Sequence, residues 1–162
     1  MISDTFLKEA SQEYDGNSVT LRKNLKFAGH TLEEWSIELA IKFPDDIDYS
    51  EIERLSKELD EAFMLAHNNY IVAQGVVDFL KRTLDTEMNS AFTELGIGGT
   101  GTRLTISDKE RMVSQKVKEQ TDKVALADFI CSFWKEQVRM LERKEKTLER
   151  IFWTHKAQIQ DR

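Results

Sequence analysis

The chain has 162 residues, 40% of them apolar and 32% charged, with a formal net charge of −6, a single proline and a single cysteine. That length suits one domain, and no apolar run nears the 18 or so residues that a membrane-spanning helix needs. The lone Cys131 excludes an intramolecular disulfide and every multi-cysteine metal site.

The N-terminus, MISDTFLKEASQE, carries acids where a signal peptide needs basic residues and an apolar stretch, which argues for a cytoplasmic protein. Residues 1–30 show no sustained period, and the short alternation at Val19 and Leu21 is too weak for a strand. This segment is expected to be an arm, flexible or ordered by a partner, ahead of a helical domain over residues 31–162.

A short helix is predicted over 32–43. Thr31 and Glu34 form a capping box ahead of Leu32, Trp35, Leu39 and Phe43, and Pro44 stops it. Ser50, with Glu53 three residues on, is a candidate N-cap for a much longer helix over 51–95. There Leu59, Phe63, Ala66, Tyr70, Ala73, Val77, Leu80 and Leu84 step alternately by four and three, the repeat of side-by-side helix packing. Gly75 interrupts this run and marks either a kink or a close crossing.

ELGIGGTGTRLTISDKE, residues 94–110, is the glycine-dense stretch. A phosphate-binding loop needs Lys-Ser/Thr after its glycines and a strand before them. Here Thr102 and Arg103 follow Gly101, so the stretch reads as a turn, with Gly96 ending the first helix in a left-handed conformation. Ser107 and Glu110 form a second capping box. Val113, Val117, Gln120, Val124, Ala127, Cys131, Trp134, Val138, Leu141, Leu148, Phe152, His155 and Ile159 then continue the alternation, with Glu145 in a core-facing place. The prediction is an all-α fold, a long antiparallel hairpin of helices 51–95 and 108–160. Met64, Val72, Val76, Phe79, Phe129, Ile130, Phe133 and Ile151 widen the apolar stripe beyond one partner's reach, so the short helix or further copies must cover them, and a homo-oligomer is expected.

Catalytic machinery is not predicted. His30, His67 and His155 are far apart in sequence with no ligand spacing, so no metal or other cofactor is expected. Charge is asymmetric: residues 1–100 hold nine Lys/Arg against nineteen Asp/Glu, and residues 101–162 fourteen against ten. Arg139, Arg143, Lys146 and Arg150, spaced four, three and four, share one helix face, and Lys144 and Lys156 extend it. Such a row suits a phosphate backbone, and Trp153 suits base stacking. Glu142, Glu145 and Glu149 are interspersed, so a solvated, ion-paired face is the competing reading.

The layout of two long helices and a glycine loop resembles the recombination mediators of T4-like phages. The segment DFICSFWKEQVRMLERKEKTLERIFWTHKAQI, with Trp134 near its middle and Arg150, Phe152, Trp153 and Lys156 towards its end, carries the likeness. The resemblance spans about residues 57–159 and is one of layout more than of motif. It implies a ring-like oligomer that binds single-stranded DNA and loads a RecA-like recombinase onto strands coated by single-stranded-DNA-binding protein. A helical adaptor or inhibitor of a host protein, and a virion scaffolding component, are the alternatives.

Overall fold

The computed structural model describes residues 18–44, 47–97 and 105–160. A small N-terminal unit comes first: helix α1 (Ser18–Asn24), strands β1 (Lys26–Phe27) and β2 (His30–Thr31), and helix α2 (Leu32–Glu38). The long helix α3 (Tyr49–Ile97) follows, then α4 (Ile106–Lys116) and α5 (Lys118–Gln160). At about 1.5 Å per residue, α3 is roughly 73 Å long and α5 roughly 65 Å. They lie antiparallel: Tyr49 meets Phe152, Cys131 meets Gln74, and Lys81 meets Asp128. The helical hairpin expected from periodicity is therefore the backbone of the fold.

Its seam follows the four-three alternation. Leu59, Ala66, Ala73, Val77 and Leu80 are buried on α3, facing Val124, Ala127, Cys131, Trp134, Leu141 and Leu148 on α5. α3 runs through Gly75 without a break, and a Cβ at Gly75 would meet nothing within 4 Å. The glycine therefore neither ends the helix nor allows a close crossing within the chain.

Several boundaries differ from the sequence expectation. α3 also runs through Gly96 to Ile97, so Gly96 does not terminate it, and the rest of the expected turn (98–104) lies outside the described residues. Its N-cap is Asp48, not Ser50: the Asp48 carboxylate accepts from the Glu51 amide (2.8 Å) and from the Ser50 hydroxyl (2.7 Å). The second capping box is Thr105 with Asp108 rather than Ser107 with Glu110. The predicted second helix breaks once, at Val117, whose carbonyl accepts both the Thr121 amide and the Thr121 hydroxyl. Such back-bonding by threonine bends a helix.

The N-terminal expectation changes most. Residues 18–30, expected to be arm, carry a helix and, with Thr31, a tight hairpin whose Leu21, Leu25 and Phe27 are buried in the main core; residues 1–17 lie outside the description. The hairpin turns on Ala28 and Gly29, both with positive φ (50° and 93°), as a two-residue primed turn requires. α2 begins at the predicted capping box but stops at Glu38, well before Pro44. The chain then leaves helical geometry so that Ile41 and Phe43 can lie against the core.

This unit closes around Trp134, which is fully buried. Phe27, Trp35 and Phe133 ring it at centroid distances of 5.4, 5.5 and 5.3 Å, and the Trp35 indole donates to the Phe27 carbonyl at 2.7 Å. Arg22 lies 5.9 Å from the Phe133 ring centroid and pairs with Glu136 at 3.0 Å, tying α1 to α5. Further along, the Lys144 ammonium donates to the Ile41 carbonyl, and burial lowers its pKa.

Three outcomes follow from these features. Ala28→Gly relieves a left-handed alanine and should stabilise the fold by about 1 kcal/mol in urea titration. Backbone and hydroxyl hydrogen bonds hold the Glu34 and Asp48 carboxyls below their ordinary pKa values. Their stabilisation is thus complete above the ordinary carboxylate range and is lost as pH falls through the lowered values. Thermal melts of Glu34→Gln/Asp48→Asn should accordingly show a flatter acid-side decline than the parent. Finally, desolvation, with Asp128 nearby, raises the Cys131 thiol, so a thiol-specific reagent at pH 8 should label it only after unfolding.

Candidate nucleic-acid interface

Successive α-helical residues rotate by about 100°, so spacings of four and three keep a row on one face. In α5 the seam residues Trp134, Leu141 and Leu148 are buried, while Arg139, Arg143, Lys146 and Arg150 are all exposed on the side turned away from them. Among the described residues none of these four joins an ion pair. Lys144 does not belong to the row. It sits on the flank, partly buried, with its ammonium committed to the Ile41 carbonyl.

The N-terminal unit turns part of this row into a groove. Arg22 of α1 and Ser36 of α2 stand against Ser132, Lys135, Gln137, Arg139 and Arg143 of α5, around a cavity of about 710 Å³. Glu136, the one acid lining it, is bridged by Arg22. Lys135, Arg139 and Arg143 therefore face the groove with no carboxylate other than the Arg22-paired Glu136 among its lining residues. Gln137 is 5% exposed, and its buried Oε1 has no hydrogen-bond partner among the described residues.

Arg150 lies about 10 Å beyond Arg143 along the helix and lines a separate hollow of about 400 Å³ with Thr147, Ile151, Thr154 and His155. Next to it, Trp153 is 54% exposed, and Lys156 sits 4.9 Å from its ring centroid. The aromatic-basic end of the chain thus presents an open indole face partly occupied by a cation.

Two of the three interspersed glutamates separate from this row, while Glu142 stays exposed beside it, between Arg139 and Lys146. Glu145 and Glu149 line a cavity of about 540 Å³ on the seam side, with Glu53 and Asp60 of α3. Its apolar lining includes the buried Ile52, Leu59 and Leu148. The seam opens there because Glu145, in a core-facing place, stays exposed to keep its carboxylate solvated. The predicted face therefore divides into a basic groove on one side and an acidic, apolar cavity on the other. Among the described residues no group of three His, Cys, Asp or Glu is placed to hold a metal ion.

Of the residues expected from sequence, the groove brings together Arg139 and Arg143, while Lys146, Arg150, Trp153 and Lys156 lie outside its lining; Arg22, Ser36 and Lys135 were not expected there. Arg22 and Ser36 reach the groove through tertiary packing alone. Lys135 lies four residues before Arg139, one turn earlier on the same face, so the spacing that defines the row also reaches it. No protein-family model, no curated protein and no solved structure matches this chain.

Proposed function

We propose that the chain is a non-enzymatic accessory protein that binds single-stranded nucleic acid along the outer face of α5, acting as an oligomer. The observation that carries this reading is the groove in which Lys135, Arg139 and Arg143 lie together, with its only acid already neutralised by Arg22. Phosphates entering such a groove release counterions and need displace no internal ion pair of these three cations. From there Lys146 and Arg150 continue the positive track towards Trp153, where a base stacks by displacing Lys156. Because one groove is short, several copies along one strand multiply the affinity. Loading of a RecA-like recombinase onto protein-coated single strands rests on the resemblance to the phage mediators, and it would place the protein in the host cytoplasm.

A second reading, a protein-binding adaptor, is favoured by the cavity of about 540 Å³ with four carboxylates over an apolar lining, which suits a basic amphipathic segment.

Fluorescence anisotropy with an oligothymidylate separates the two. If about four phosphates are neutralised, affinity for a single strand should fall with a log–log salt slope of about −3. Lys135→Glu/Arg139→Glu/Arg143→Glu should abolish binding, and Trp153→Ala should weaken it by roughly tenfold. Glu145→Gln/Glu149→Gln should leave it intact. Binding that survives the triple reversal removes this site.

A further inference from the structure

The side of α3 opposite the seam is apolar and open. Met64, Ile71, Val72 and Phe79 are 57, 55, 50 and 68% exposed, and the spacing places them with Asn68 and Gly75 on one face over about four helical turns. The N-terminal unit closes on Trp134 of α5 and leaves this face uncovered among the described residues. Glu61 lies one turn before it and Arg82 one turn after it, both exposed and neither in an ion pair among the described residues.

We infer that this face pairs with the same face of a second copy, antiparallel and across a two-fold axis between Ile71 and Val72. A two-fold interface must be self-complementary, each residue meeting a partner that suits it twice over. This face meets that condition along its length. The antiparallel register that sets Ile71 on Val72 also sets Met64 on Phe79, Asn68 on Gly75 and Glu61 on Arg82. The apolar residues thus meet apolar residues, and each end closes with an opposite-charge pair. Asn68 falls where the partner helix has no side chain. The empty surroundings of Gly75, which play no part in packing within the chain, become the point of close approach between the two helices. A parallel register would instead set Glu61 beside Glu61 and Arg82 beside Arg82, so charge selects the antiparallel one.

This pairing supplies the surface for the oligomeric part of the proposed function. It leaves the basic face of α5 open, because that face is turned away from the α3 side of the hairpin. Its test reads mass rather than nucleic-acid binding, so either reading can fail without the other.

Sedimentation equilibrium on the full chain should show a reversible dimer. Glu61→Arg and Arg82→Glu, each placing like charges together at both ends, should each raise the dimer dissociation constant about tenfold or more. The double variant Glu61→Arg/Arg82→Glu should restore it. Phe79→Asp should give monomers, with circular dichroism confirming retained helix. A chain that is monomeric at every concentration overturns the inference, as does an oligomer that either single charge variant leaves unchanged or that the double variant fails to recover. Monomers that instead retain a different protein on this face would assign it to another partner and overturn it equally.

Discussion

Two helices lying side by side bury one stripe each, and nothing in that geometry can enclose a tryptophan on all sides. The fold of this chain turns on that limit. Trp134 sits on the seam of α5 yet extends beyond what α3 covers, and it reaches full burial only because Phe27 and Trp35 come over it from the N-terminal unit. The primed turn at Ala28 and Gly29, the indole bond from Trp35 to the Phe27 carbonyl and the Arg22–Glu136 bridge all serve that enclosure. The left-handed alanine is tolerated because the surrounding contacts over-determine the hairpin.

The same enclosure shapes the charged surface. A row of arginines along an isolated helix is a convex ridge, which holds a polyanion weakly. Once α1 and α2 stand beside α5, Arg22 and Ser36 form the second wall of a concavity, and Arg22 takes up the acid that would otherwise offset Lys135 and Arg139. A field focused in a groove attracts anions more strongly than the same charges spread over a ridge. On the other side of α5, Glu145 interrupts the apolar seam and opens a cavity in which four carboxylates gather. One helix thereby presents opposite charge on two sides, although its linear sequence reads as mixed.

Periodicity carried the long helices well, since Leu59 to Leu84 and Val113 to Leu148 repeat often enough for one wrong position to matter little. Caps were less legible. Asp48 and Ser50, or Thr105 and Ser107, stand two residues apart, and both members of each pair are good capping residues. The choice depends on where the first packed turn falls. The N-terminal unit left almost no local signal, because α1 has seven residues and each strand two. Pieces that short are held by what they pack against, and their propensities cannot define them. Lys144 shows the same limit at the site: it follows Arg143 directly and reads as an extension of the basic patch, but the Ile41 carbonyl, 103 positions away, takes its ammonium.

What the sequence by itself determined is the pair of long antiparallel helices, the stripe that joins them and the exposed row from Arg139 to Arg150. Each of these follows from residue spacing on a helix, a property of the chain that needs no partner. What only the tertiary structure decided is which charges act together. Arg22 and Lys135 line one groove, Glu145 and Glu53 line one cavity, and Trp35 packs on Trp134, all through the packing of distant segments that no local period encodes.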